Sequence, residues 1–295
     1  MNILITGANG LLGNEMRVIA ATDTTHQWFF TDVAELDITD RKAVSSFVIN
    51  NRIEAIVNCA AYTNVDKAED DEQTAFLLNA LAVENLAIVA SENKALLVHV
   101  STDYVFDGKA YLPYKEDEPT CPATVYGRTK LQGERLAMDA CRWAIIIRTA
   151  WLYSSFGNNF VKTMLRLGKE RDKLSVVYDQ VGTPTYAADL AGAIFVIINK
   201  IEAEEREEFI NQSKGEIYHF SNLGVCSWYD FTKEIHRLAG IECDVQPIRS
   251  EQYPTKTPRP HYSVLDKQKI INDFGIKIPH WKCLDMVKQI PSNGV

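Results

Sequence analysis

The run Gly7-Ala8-Asn9-Gly10-Leu11-Leu12-Gly13, placed directly after the apolar segment Asn2–Thr6, constrains the fold of this chain more than any other feature. A glycine-rich turn between a strand and a helix lets the backbone approach a pyrophosphate closely. The helix N-terminus then offers that anion unpaired N–H groups and the positive end of a dipole. Alone, such a run fits a tight turn in another α/β protein equally well. A second apolar run ending at Thr31-Asp32 tilts the reading, because Asp32 lies about twenty residues beyond the loop, where an acidic side chain accepts hydrogen bonds from an adenosine ribose. The same carboxylate would repel a 2′-phosphate, and no Arg or Lys adjoins it. The expectation is NADH or NADPH, with NADH slightly favoured, held by Gly7, Gly10, Gly13 and Asp32, with Asp37 and Ile38 flanking the adenine.

Short apolar runs alternate with helical patterns through the first half, which predicts right-handed β-α-β units and a doubly wound parallel sheet, the Rossmann arrangement of the α/β class. Strands are expected at 2–6, 28–31, 55–58, 96–101 and 144–148, and helices at 11–20, 40–50, 74–93 and 125–139. Beyond Arg148 the alternation loosens. Helices are expected at 159–167, 187–199, 228–239 and 265–273, with short strands at 174–177 and 217–220. The expected division is a dinucleotide-binding domain over 1–150, with 151–175 and 185–200 returning to it. The remainder of 151–295 would form a smaller, discontinuous substrate lobe. A net charge of −8 leaves no footprint for nucleic acid or an anionic membrane. With no secretory pattern and no segment approaching a bilayer span, a soluble cytoplasmic protein is expected. The acidic stretch 202–208 reads as solvated surface. Six scattered cysteines without a C-x-x-C pair, and histidines standing apart, predict reduced thiols and no metal site.

The apolar run Leu97-Val98-His99-Val100 leads into Ser101-Thr102-Asp103-Tyr104, and Tyr126-Gly127-Arg128-Thr129-Lys130 follows. Ligands of open parallel sheets bind beyond the carboxyl ends of strands, which puts Thr102 at the crevice. Tyr126 and Lys130, at i and i+4, share one helix face. Hydride transfer to a ketone creates an alkoxide that needs a proton, and a positioned phenol can supply it. A neighbouring ammonium favours the phenolate, so Lys130 is expected to lower the pKa of Tyr126 and to hold the nicotinamide ribose. The Thr102 hydroxyl would orient the carbonyl. Y-x-x-x-K arises by chance on many amphipathic helices; its order after the glycine loop, Asn58-Cys59-Ala60-Ala61 and Thr102 is what makes it specific here.

The G-x-x-G-x-x-G spacing is similar to that of extended short-chain dehydrogenases. The segments Val57–Glu69, Ser101–Gly108, Gly157–Leu165 and Asp179–Thr185, with Arg259-Pro260, resemble the dTDP-4-dehydrorhamnose reductase family over nearly the whole chain. That resemblance implies reduction of the 4-keto group of dTDP-4-dehydro-L-rhamnose to dTDP-L-rhamnose, with Tyr126 as general acid, Lys130 as its partner and Thr102 at the carbonyl. It also implies that Leu11, Leu12, Ala61, Tyr62, Thr63 and Asp103 contact the cofactor and that Tyr104 and Trp151 border the sugar. Asn159, Lys162 and Arg259 would either serve the diphosphate or cap and solvate helices. Some bacterial members bridge a dimer through a metal held by carboxylates. Glu15 matches one such position, but Ala188 stands at another with Asp189 one residue along, which argues against that bridge and leaves a homodimer open. A 4,6-dehydratase would carry Asp-Glu where Asp103-Tyr104 stands. Another 4-ketoreductase, a 4-epimerase, or a non-catalytic regulatory protein keeping the fold are the rival readings.

Overall fold

The computed structural model describes residues 1–203, 214–284 and 286–287. Its centre is strand β1 (Asn2–Thr6), where Ile3, Leu4 and Ile5 have no exposed surface. Consecutive apolar residues can all be buried only when both faces of the sheet are covered. Around β1 stand β2 (Gln27–Thr31), β3 (Ala55–Asn58), β4 (Leu96–Thr102) and β5 (Ile145–Thr149). The other strands are β6 (Leu152–Tyr153), β7 (Lys173–Val177), β8 (Val181–Gly182), β9 (Thr185–Tyr186), β10 (Glu216–His219), β11 (Cys226–Ser227) and β12 (Asp244–Ile248). The main sheet is wholly parallel in the order β10-β5-β4-β3-β1-β2. The strand order reverses between β1 and β3, and a ligand crevice opens there, beyond the carboxyl ends.

Side-chain alternation divides the core into two layers. Ile3, Ile5, Val57, Val98 and Ile147 meet helix α1 (Leu11–Ala20) on one face. The opposite parity, Leu4, Ile56, Leu97 and Ile146, meets α2 (Arg41–Asn50) on the other. After β3 come α3 (Val65–Ala68) and α4 (Glu72–Phe76), then a π-helical turn over Leu77–Leu81 and α5 (Ala82–Glu92). Helix α6 (Val125–Ala140) packs beside α5. The run Glu72–Glu92 is long and apolar enough to span a membrane by length and composition, contrary to the expectation from sequence. In this fold half of its most apolar window is buried, with Val83, Leu86 and Ala87 on the sheet.

Helix α7 (Phe160–Glu170) packs against α9 (Trp228–Ala239) and β7, not on the sheet. Its apolar face, Val161, Met164 and Leu165, fits Phe231 and Ile235. Helix α8 (Ala187–Ala203) does return to the sheet, against α1. So does β10, as the sixth strand beside β5, and α10 (Gln268–Phe274) packs on it. Segments 216–219 and 268–274 thus join the sheet domain where sequence expected the lobe. The lobe is held by β7 paired with β12, a strand the alternation did not reveal because Pro247 interrupts it. Helix α9 starts with a Ser227–Asp230 capping box and stops at Gly240, whose φ is +64°. Of the acidic stretch, 204–208 lies outside the described residues; Glu202 accepts from the N-terminal ammonium and meets His26 Nε2.

Candidate active site

A cavity of about 1800 Å³ opens at the carboxyl ends of the strands, between the sheet domain and the lobe. Gly7 sits in the left-handed region at φ +65°, and a Cβ there would fall 2.6 Å from the Ala60 Cα. Glycine is therefore required where the first turn crosses the loop after β3. Gly10 caps α1 without a side chain, and Gly10, Leu11 and Leu12 line the cavity, so the start of that helix, whose first-turn N–H groups have no intrahelical partner, lies at its rim. Gly13 does not line the cavity; it allows close packing, since a Cβ would lie 2.5 Å from the Ala8 Cα. Asp32, Asp37 and Ile38 border the adjoining end. The Asp32 carboxylate already accepts from Asn9 N–H at 3.1 Å and Val33 N–H at 2.9 Å.

Ala61 and Thr63 reach the cavity, whereas Tyr62 stands behind it. The Asn79 carboxamide grips Tyr62: Oδ1 accepts from the Tyr62 N–H at 2.8 Å, and Nδ2 donates to the Tyr62 carbonyl and to Thr129 Oγ1, both at 3.1 Å. Asn79 projects from the π-helical turn and is fully buried. Such turns often coincide with functional sites.

Thr102 ends β4. Its hydroxyl donates to Asp103 Oδ1 at 3.0 Å and accepts from Tyr104 N–H at 3.2 Å, and it lines the cavity together with the Tyr126 phenol. Asp103 is buried, and burial pushes its carboxyl up to about 7 against several hydrogen bonds. Its Oδ2 has no partner among the described residues. Burial also raises Tyr126 above the ordinary phenol range. The expected depression by Lys130 is not found. The Lys130 Nζ points to β4 instead, donating to the Val100 carbonyl at 2.7 Å and standing 3.2 Å from His99 Nε2. Burial lowers this amine to about 8, opposed by Glu134 and Cys59.

On the lobe side, the Tyr104 ring meets Tyr126 edge-to-face at 5.4 Å. Burial pushes the Tyr104 phenol up to about 12, a rise that the Asp103 charge adds to and the Arg259 guanidinium opposes. Arg259 also donates to Asp66 Oδ2 at 2.5 Å, and Asp66 Oδ1 accepts from the Thr257 N–H and hydroxyl. Trp151 borders the cavity in a left-handed conformation, φ +49°, stacked on Trp228 with centroids 3.5 Å apart and planes 9° apart. Trp228 was not singled out in the sequence; its position at the first turn of an amphipathic helix looks like ordinary core. Asn159 caps α7, accepting from the Lys162 N–H at 3.2 Å. Glu15 turns inward, accepting from Ser154 Oγ at 2.6 Å, with burial raising its carboxyl.

The model of the family described as "RmlD substrate binding domain" matches residues 1–290. The dTDP-4-dehydrorhamnose reductase of Aggregatibacter actinomycetemcomitans is 40% identical over 286 residues, covering 95% of each chain. A probable dTDP-4,6-dihydroxy-2-methyloxan-3-one 4-ketoreductase of Streptomyces antibioticus is 41% identical over 268 residues, covering 90% of this chain and 86% of that one. Among solved structures, a dTDP-4-dehydrorhamnose reductase of Clostridium acetobutylicum aligns with a TM-score of 0.88 at 41% identity over 98% of each chain. That of Bacillus anthracis, in complex with NADP, aligns with a TM-score of 0.86 at 38% identity over 95% of each.

Proposed function

The chain belongs to the RmlD substrate binding domain family, and from that premise we propose that it is a nicotinamide-dependent oxidoreductase reducing dTDP-4-dehydro-L-rhamnose to dTDP-L-rhamnose. The observation that carries the reading is that Thr102, Tyr126 and Lys130 line one cavity together with the glycine turn at Gly7 and Gly10. Two features suit a dinucleotide: the side-chain-free turn at Gly7 and Gly10, and the buried Asp103 Oδ2, which has no partner among the described residues and can accept from an amide N–H.

When bound, the reduced nicotinamide supplies a hydride to the carbonyl carbon. Thr102 orients the carbonyl oxygen, and Tyr126 gives its proton to that oxygen as negative charge develops. A phenol raised by burial remains protonated across the working pH range, which is the form a donor needs. Tyr104 and the Trp151–Trp228 stack offer aromatic faces to the apolar side of a hexose. Asp32 favours a free ribose 2′-hydroxyl, as in NADH. Its two backbone N–H bonds offset part of that charge, and the Bacillus anthracis protein holds NADP, so the proposal extends to NADPH.

A second reading keeps the chemistry and changes the sugar, favoured by the Streptomyces antibioticus relative. The test is loss of NADH or NADPH absorbance with freshly made dTDP-4-dehydro-L-rhamnose, followed by product identification. Tyr126→Phe should lower turnover by about 10²–10⁴-fold while cofactor binding persists. Retained activity in that variant overturns the assignment. Cofactor binding without turnover on any nucleotide 4-ketosugar would favour a regulatory role.

A further inference from the structure

A buried polar chain runs behind the cavity from Thr6 through Asn58 and His99 to Lys130. Asn58 is fixed in orientation, because its Oδ1 accepts from Thr6 Oγ1 at 2.7 Å and from the Ala60 N–H at 3.0 Å. The flipped amide would set its N–H₂ against the Ala60 N–H. Asn58 Nδ2 must therefore donate to His99 Nδ1, 3.0 Å away. A neutral imidazole carries one proton, so an accepting Nδ1 puts that proton on Nε2. Burial keeps the ring neutral, holding His99 well below its ordinary pKa. The Nε2–H then points at Lys130 Nζ, 3.2 Å away. An ammonium has three donors and no acceptor. Only the uncharged amine can take this bond on its lone pair while donating to the Val100 carbonyl.

We propose that His99 is a positioning residue that biases Lys130 toward the uncharged amine in the cofactor-free protein, through the tautomer imposed by Asn58. The other groups facing Lys130 do not cancel this bias. Cys59, at the end of β3, is a neutral thiol pushed up to about 12 by burial. Glu134, on the same helix, favours the ammonium, but Arg148 donates to both of its oxygens and Ser101 to one. Tyr126, one turn earlier, is an uncharged phenol. Lys130 thus reaches full charge only by taking up a proton from solvent, the charge that favours the phenolate of Tyr126 when that forms. His99 sets how readily that change occurs. The catalytic part of this inference rests on the proposed role of Tyr126; the tautomer and charge state do not.

Both can be read without turnover. Long-range ¹H–¹⁵N spectra of the imidazole rings in the full-length, cofactor-free protein should give His99 as the Nε2–H tautomer at about pH 9, above the Lys130 midpoint. An Nδ1–H tautomer or an imidazolium overturns the proposal, and this measurement needs no variant that must fold. Lysine Cε and Nζ resonances, assigned with Lys130→Arg, should titrate near neutrality for Lys130. In His99→Asn, which can still accept from Asn58, and in His99→Gln, the midpoint should rise by about one unit, a tenfold change in proton affinity. An unchanged midpoint in both folded variants overturns it. If the spectra agree while Tyr126→Phe stays active, the charge-state inference stands and the functional reading fails.

Discussion

Removing the Asn79 carboxamide should loosen the cofactor loop more than it loosens the fold. Asn79→Ala deletes three hydrogen bonds, those to the Tyr62 N–H, the Tyr62 carbonyl and Thr129 Oγ1. Thr129 keeps a bond to the Tyr126 carbonyl at 3.0 Å, and the Tyr62 backbone lies where water partly reaches it. At about 1 kcal/mol per bond, with more for any group left dry, the loss is about 3 kcal/mol. A domain of this size is typically stable by about 5–15 kcal/mol, so the variant should fold with a lower urea midpoint. Part of that energy is spent holding residues 61–63 against the cavity. Cofactor binding must then re-order the loop, and a share of about 1.4 kcal/mol weakens binding tenfold. Isothermal titration of NADPH and NADH, with a denaturant curve on the same sample, separates the two effects. A lower midpoint with unchanged cofactor affinity refutes the coupling and leaves Asn79 an ordinary core residue.

Replacing Asp32 by Asn removes the charge facing the ribose end, so the ratio of NADPH to NADH kcat/KM should rise by about tenfold, the effect of about 1.4 kcal/mol; a constant ratio would detach Asp32 from cofactor choice. Asp103 has its carboxyl raised to about 7 from an ordinary 3.8, so its contribution to stability is fully present below about pH 4 and is lost as pH rises through 7. Asp103→Asn should flatten the decline in thermal midpoint between pH 4 and 7, and an unaltered profile would refute a carboxyl raised by burial. Asp66→Ala frees Thr257 and Arg259, at a stability cost of about 1 kcal/mol for a partly exposed pair. Because the same segment lines the cavity through Thr255, Arg259 and Pro260, the nucleotide-sugar KM should rise more than kcat falls; an unchanged KM would make the tie merely structural.

The first half of the chain was legible because its residues obey local rules. Strands 2–6 and 55–58 and helix 11–20 follow from apolar runs and a glycine turn, and all three stand at the expected residues. Thr102, Tyr126 and Lys130 converge because the end of a strand and the i, i+4 spacing fix where they point. What stayed hidden depends on distant partners. His99 looked like one polar residue in an apolar strand; its meaning lies in Asn58 and Lys130, which the sheet register brings alongside. Trp228 and Asn79 read as helix residues until the lobe and the loop after β3 met them. The return of β10 and α10 to the sheet is likewise a long-range pairing, invisible to periodicity.

The π-helical turn at Leu77–Leu81 has a bearing on how this region could change by insertion or deletion. Each residue advances a helix by about 100°, so deleting one residue there would swing everything downstream around the axis. Val83, Leu86, Ala87 and Ala90 now face the sheet, while Asn79 faces Tyr62. A straightened helix could keep one of these two phases but not both. The wide turn acts as a phase adapter between them, so a single-residue deletion in this segment should be rejected even though no backbone atom of Leu77–Leu81 would carry chemistry.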